Sequence, residues 1–402
     1  MVSRRSLLQS SAASAACLVS GVWTASADTP GVTDTEIRIG QTMPYSGPAS
    51  GFGVIGRTEI AYFRMINDSG GINGRKVNLV SLDDGYSPPR TVEQTRRLLE
   101  QEQVAFIFGS VGTATNSAIR SYLNERKVPQ LFVSSGASMF ADPQHYPWTI
   151  GYNPTFRSEG HVFAKYVVST KPDAKIGVLY QNDGFGRDYL EGVREGVGKD
   201  RAAMIVREAS YEVSDPTVDS QIVTLQGSGA DVLIIAANAK AGAQTIRKIY
   251  DVGWMPDRYL GSVASSIATV LKPAGIEKSK DVITNYWGKD PADPRWADAP
   301  DYKEWAAFVS RYMTPPDLVD SFAIYGYGAA SVLTYVLKQC RDDFSRENVM
   351  RQATNIKDYE GPMGLPGAKI NTSPDDYRVN RHLQLAKFDG VSWKSFGDIL
   401  SD

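Results

Sequence analysis

Cysteine, histidine and net charge are all scarce in this chain. Its 402 residues include 2 cysteines and 3 histidines, and 43 basic side chains face 45 acidic ones. Cys17 lies in the leader read below, so only Cys340 is left in the processed chain and an intrachain disulfide is excluded. His145, His161 and His382 show no metal-ligand spacing. The sequence has no G-x-S-x-G elbow and no Cys/His pairing, so the common hydrolytic constellations are missing. A charge this close to neutral attracts neither nucleic acid nor an anionic membrane. Past the leader, no segment approaches 18 consecutive apolar residues, and we expect a soluble protein.

Otherwise the composition is that of a globular protein, 42% hydrophobic and 22% charged, long enough for two domains. Ser3-Arg4-Arg5-Ser6-Leu7-Leu8-Gln9 is a basic start with a twin-arginine-like pattern. A small and apolar run follows to Thr24, and Ala25-Ser26-Ala27 has the small-x-small form of a cleavage site. Residues 1–27 read as an export signal peptide, the mature chain starting near Asp28. Lipidation at Cys17 is the alternative, disfavoured because Ser14-Ala15-Ala16 lacks the usual leucine and apolar residues continue beyond it. Cleavage removes two arginines and no acid, moving the formal charge from −2 to −4. Export and solubility together place the protein in the periplasm or outside the cytoplasmic membrane.

From residue 35 the pattern alternates strand and helix. Strands are predicted over 36–42, 76–82, 104–108 and 129–133, with helices to about Asn67, over 90–101 and to about Arg126. The stretch 104–138 carries two small-residue turns, 109–113 and 134–138, each beyond a strand's carboxyl end. Parallel α/β sheets bind ligands there, and these turns offer hydroxyls and backbone N–H groups without a charge. Near 148–152 the chain is expected to change lobe. A second series follows, with strands at 175–180, 204–208, 232–236, 259–260 and 282–286. Helices fall at 156–169, 186–197, 218–227, 241–252, 302–312, 320–338 and 345–353. Residues 382–388 and 392–396, joined by Asp389-Gly390, have a hairpin signal. The expected fold is α/β, two doubly wound parallel-sheet lobes side by side.

Three features invite other readings. Gly51-Phe52-Gly53-Val54-Ile55-Gly56 is a literal G-x-G-x-x-G. A dinucleotide fingerprint needs its glycines directly after the strand, and here the loop 44–51 intervenes, so we expect no cofactor. Asp83-Asp84 could be paired carboxylates, but beside Gly-Tyr-Ser-Pro-Pro they read as a strand-end turn and helix cap. Aromatics recur where strands end, at Phe52, Tyr152, Phe185, Tyr286 and Trp287. Any one of them suits a core; converging in a two-lobed fold, they favour a ligand cleft.

These residues resemble the branched-chain amino acid type of solute-binding proteins of ATP-driven transporters, the type I periplasmic binding fold. The resemblance covers essentially the whole mature chain. It rests on Ile39-Gly40 with Ser46-Gly47-Pro48, and on Asn67 with Gly70-Gly71-Ile72-Asn73-Gly74-Arg75 ahead of a strand ending Asp83-Asp84. Phe108-Gly109-Ser110, Val128-Pro129-Gln130, Gly184-Phe185-Gly186 and Lys289-Asp290-Pro291 continue it. It implies two lobes joined by three crossovers, 28–151 plus 287–376 and 152–286 plus 377–402, closing on a ligand by hinge motion. It also implies delivery of that ligand to a membrane permease and ATPase by a monomer without catalysis. The alternatives are a ligand sensor of the same fold acting on a regulator or receptor and, behind it, a branched-chain amino acid or amide binder; an exported oxidoreductase or hydrolase is the remote one.

Carried over by position, the resemblance implies a carboxylate grip at Thr113 and at Ser134, Ser135 and Gly136. Phe52, Phe185 and Phe322 would form the side-chain wall, with Asn238 at a frequent tyrosine position. One departure stands out. Where amino acid binders carry a glutamate for the ligand's ammonium, this chain has Val263, in Leu260-Gly261-Ser262-Val263-Ala264. An unpaired buried ammonium costs several kcal/mol. The expected ligand is therefore a small carboxylate without an amine, an aromatic or short aliphatic acid.

Overall fold

The computed structural model describes residues 29–401; the signal-peptide reading of 1–27 lies outside them. Runs of Val, Ile and Leu form two separate sheets. The first has the order β2-β1-β3-β4-β5, from β1 (Glu36–Met43), β2 (Lys76–Asp83), β3 (Ile107–Phe108), β4 (Gln130–Val133) and β5 (Thr149–Gly151), and its pairs are all parallel. The second has the order β12-β11-β10-β9-β8-β6-β7. Its strands are β6 (Ile176–Gln181), β7 (Ile205–Tyr211), β8 (Val232–Ala236), β9 (Asp257–Leu260), β10 (Ile283–Tyr286), β11 (His382–Phe388) and β12 (Trp393–Ser401). The sequence Val-Leu-Ile-Ile-Ala of β8 is buried throughout, as a central parallel strand covered on both faces must be.

The carboxyl-terminal hairpin is antiparallel as its Asp389-Gly390 turn predicts, and it joins the second sheet by pairing β11 with β10. The crossover expected near 148–152 contributes β5 to the first sheet before the chain leaves it. β3 is two residues long where five were expected. Val104 and Ala105 bond to the Leu98 and Arg38 carbonyls and enter the sheet outside its regular ladder.

The helices are α1 (Gly53–Asp68), α2 (Pro88–Glu100), α3 (Thr113–Glu125), α4 (Phe156–Thr170), α5 (Gly184–Val197), α6 (Asp219–Gly227) and α7 (Ala239–Asp251). Short α8 (Lys272–Ala274) and α9 (Ile276–Ser279) precede α10 (Pro300–Tyr312), α11 (Ser321–Gln339) and α12 (Arg346–Ala353). α1 lays Val54, Ile55, Tyr62 and Phe63 inward and packs on α10 and α11. Residues from beyond the second sheet's β10 thus complete the helical layer over the first sheet. α4 and α5 pack closely, because Gly192 leaves its face open and a Cβ there would run into the Arg157 carbonyl.

Two local distortions place the cleft residues. Phe132, inside β4, has a φ of 53°, and the β4–β5 register shifts between Gln130 and Val133. Such a bulge re-aims the residues that follow, here Ser134 and Ser135. Gly112 has a φ of 108°, and a Cβ there would sit 2.5 Å from the Tyr86 ring. Only glycine fits that approach without strain.

Candidate functional site

Loops beyond the carboxyl ends of both sheets line one cleft. From the first sheet come Phe52 after β1, Thr113 at the start of α3, and Ser134 and Ser135 after β4. From the second come Phe185 after β6, Asn238 after β8 and Val263 after β9, and Phe322 joins them from the first turn of α11. Gly136 does not line the cleft. A Cβ there would strike Phe156 and the Pro154 carbonyl, and its own carbonyl accepts the Phe156 N–H at 2.7 Å. Its place is behind the wall, where it lets Phe156 pack edge-on to Phe185 with centroids 4.6 Å apart.

The polar end is built from hydroxyls and amides. Thr113 Oγ1 and Ser135 Oγ lie 2.7 Å apart, and Ser135 Oγ accepts the Ala137 N–H at 3.2 Å. Ser134 Oγ donates to the Gly109 carbonyl at 3.0 Å. α3 begins at Thr113 behind Gly112, which supplies no side-chain cap; both residues line the cleft, which puts the positive end of the helix dipole beside it. Tyr86 lies at the same end, its phenol against the Thr113 N–H and the Gln181 amide, and burial pushes its pKa up. Phe52 and Phe322 pack at 5.1 Å on the apolar side.

Asn238 occupies its expected position with its amide already engaged. Its Oδ1 accepts the Ala241 N–H at 3.0 Å, capping α7, and its Nδ2 donates to Gln181 Oε1 at 2.9 Å. Gln181 in turn accepts from the Tyr211 hydroxyl at 2.9 Å and donates to Asp183 at 2.7 Å. Asn285, fully buried at the end of β10, also lines the cleft. Its Nδ2 donates to the Glu159 carbonyl at 3.0 Å, while its Oδ1 has no hydrogen-bond partner.

Among the described residues, no Asp or Glu lines the cleft. Glu159 lies behind Ser262, taking its N–H at 3.1 Å and its hydroxyl at 2.7 Å, with the Tyr189 hydroxyl at 3.4 Å. Burial pushes Glu159 up to about 7, against the pull of those hydrogen bonds. Asp83 and Asp84 are structural. Asp83 holds the backbone of Tyr45, Ser46 and Gly85, and Asp84 takes the Tyr86 N–H and the Thr91 hydroxyl. The G-x-G-x-x-G opens α1 after a short helical turn (Ser50–Phe52), well past the end of β1. Among the described residues, no group of three or more His, Cys, Asp or Glu could hold a metal ion, and no helix is long and apolar enough to cross a membrane.

The two halves touch through side chains next to residues that line the cleft. Asp320, capping α11, accepts the Ser266 hydroxyl at 3.0 Å and the Thr269 hydroxyl at 3.0 Å. Asp188 accepts the N–H and the hydroxyl of Ser138, both at 3.0 Å. At the opposite side the three crossing segments meet on aromatic rings. Tyr152 packs on Trp287 at 5.6 Å and on Tyr325 at 5.3 Å, and Asn380 donates to the Tyr152 carbonyl at 2.8 Å.

Two α/β halves whose facing loops present hydroxyls, amides and aromatic rings, with Lys289 and Lys369 also on the lining, have the construction of a solute-binding protein. The chain belongs to the periplasmic binding protein family, whose profile matches residues 36–392. It is 26% identical over 402 aligned positions to Leu/Ile/Val-binding protein homolog 7 of Brucella abortus, covering 95% of this chain and 93% of that one. It is 23% identical to an amino acid binding protein of Pseudomonas aeruginosa, covering 74% and 77%. Among solved structures, a branched chain amino acid ABC transporter protein from Thermus thermophilus with bound valine matches with a TM-score of 0.83 at 14% identity, covering 92% of this chain and 98% of that one. A fatty acid ABC transporter substrate-binding protein from Thermomonospora curvata matches with a TM-score of 0.78 at 20% identity, covering 93% and 94%. These structures establish a type I periplasmic binding fold for the chain.

Proposed function

We propose that the protein is the extracytoplasmic solute-binding component of an ATP-driven importer, which closes on a small organic acid lacking an α-ammonium and hands it to a permease. The lobes are 28–151 plus 287–376 and 152–286 plus 377–402. The Thr113 hydroxyl, the opening N–H groups of α3 and the Ser134–Ser135 turn hold the carboxylate. Phe52, Phe185 and Phe322 enclose an aromatic or short aliphatic body.

One observation carries this reading: among the described residues no carboxylate lines the cleft, and Val263, which does line it, takes the position to which the resemblance assigns an ammonium partner. A buried, unpaired ammonium costs several kcal/mol, so such a cleft discriminates against α-amino acids. The names of the relatives favour a second reading, a branched-chain amino acid or amide binder, in which the unpartnered Asn285 Oδ1 takes an ammonium hydrogen. A sensor of the same fold would use the same cleft. Calorimetry with benzoate, 3-phenylpropanoate and leucine separates the first two. Tight leucine binding with no heat from either acid refutes the organic-acid reading. A permease and an ATPase encoded beside the protein favour transport over sensing.

A further inference from the structure

The cleft does not end at the wall facing Thr113. The same cavity runs past Tyr152, Trp287 and Tyr325 and reaches the segment 361–370, where Met363, Leu365, Ala368 and Ile370 line it together with Lys369; Lys289, Asn380 and His382 line the cavity as well. Met363, Leu365 and Ile370 are buried, and their side chains, like that of Ala368, carry no hydrogen-bond donor. The segment is a fixed wall. Gly364 bridges Gly288, the Lys289 N–H reaches the Met363 carbonyl at 2.7 Å, and the Met363 N–H reaches Asp301 Oδ2 at 3.1 Å. Ile370 and Tyr359 exchange backbone bonds at 2.8 and 3.1 Å. An apolar tail that reached this wall would remove its own surface from water, a gain proportional to the area it buries.

We propose that this rear chamber is a second subsite, which takes the tail of an elongated acid. The ligand class is an aryl-alkanoate or medium-chain acyl carboxylate, its carboxylate at α3 and its chain threaded past the three rings. The proposal rests on the organic-acid reading above and extends it from a small body to a long one.

The test is calorimetric titration of the full mature protein with benzoate, 3-phenylpropanoate, 5-phenylpentanoate and octanoate. Affinity should rise about threefold to fourfold per added methylene, following the transfer free energy of a buried CH2. Ala368→Trp, which fills the chamber from a partly exposed position, should weaken 5-phenylpentanoate at least tenfold and leave benzoate within twofold. Should that variant fail to fold, Leu365→Ala must weaken the long acid and spare benzoate. Affinity independent of chain length while benzoate binds overturns the rear subsite and leaves the organic-acid reading standing, as does a variant that weakens both acids equally. Leucine binding with no acid bound at any length overturns the organic-acid reading and the subsite with it.

Discussion

Replacing Thr269 by Val removes one hydroxyl and keeps the shape of the side chain. That hydroxyl donates to Asp320 Oδ2 at 3.0 Å, from the second-sheet side of the cleft to the amino end of α11. Asp320 keeps its bonds to Ser266 and to the Phe322 N–H, so the helix cap survives. The carboxylate is only 6% exposed, and a hydrogen bond to a buried charged group contributes about 1.5–3 kcal/mol. If the contact forms only when the halves close, the whole loss falls on the closed state. Apparent ligand affinity then drops about 10- to 100-fold, while the thermal stability of the ligand-free protein is nearly unchanged. Titration calorimetry reads the first quantity, a melting curve the second, and small-angle scattering should show a ligand-free radius of gyration equal to that of wild type. Affinity within twofold of wild type refutes the reasoning. An equal loss of ligand-free stability refutes it too, because the contact would then persist whether or not ligand is bound.

Three further predictions concern single side chains. Thr113→Val removes the hydroxyl paired with Ser135 at 2.7 Å; it should weaken acid binding by about 1–3 kcal/mol, the cost of a desolvated acceptor left unmatched, and unchanged calorimetric affinity would remove Thr113 from the site. Val263→Glu places a carboxylate on a cleft wall that has none; leucine affinity should rise and benzoate affinity fall in a thermal-shift screen, and a fall in both would show that charge at this position does not select the ligand. Glu159 has a folded pKa of about 7 against an ordinary 4.5, so the neutral form is favoured by folding. Its stabilising contribution is complete below pH 4.5 and is lost as pH rises through 7, an order-of-magnitude swing of about 3 kcal/mol. Glu159→Gln should therefore flatten the decline in denaturation free energy between pH 5 and pH 8, and an unaltered slope would exclude this carboxyl as its source.

Local signals served where each residue's surroundings are close in sequence. The strand–helix alternation located the sheets because apolar runs bounded by glycine and proline leave few alternatives. Thr113, Ser134 and Ser135 could be placed because a residue following a parallel strand must lie at its carboxyl edge. Signals failed where a contact joins distant segments. Tyr86 sits in an Asp-Asp-Gly-Tyr turn that reads as punctuation, and only its left-handed backbone, with φ of 61°, and the missing side chain of Gly112 bring its ring to the cleft. Asn238 was legible as a position but not as a helix cap whose amide is spent on Gln181. Asn285 is one polar residue at the end of a short strand, and no periodicity distinguishes it from a sheet residue with satisfied bonds. Gly136 was assigned to the grip with its neighbours, although its backbone faces Phe156. Gly112 held the available hint, since a glycine just ahead of a helix often marks a close approach by something bulky.

The way the chain is shared between the two sheets has a consequence for biogenesis. The second sheet is completed by residues 382–401, and β11 pairs with a strand about one hundred positions earlier. Trp393 is fully buried, its N–H on Asp290 and its indole N–H on the Ser265 carbonyl at 2.9 Å. α1, near the amino end, waits for α10 and α11 to cover it. The second sheet cannot finish until residues 382–401 have emerged, whereas α10 and α11, which cover α1, are made earlier; pairings this distant form slowly. A chain arrested before residue 382 therefore lacks the hairpin that completes the second sheet, while every strand of the first sheet and the helices that cover it are already present. Such a topology holds the second half unfinished, with the edge of β10 unpaired, until residues 382–401 are available.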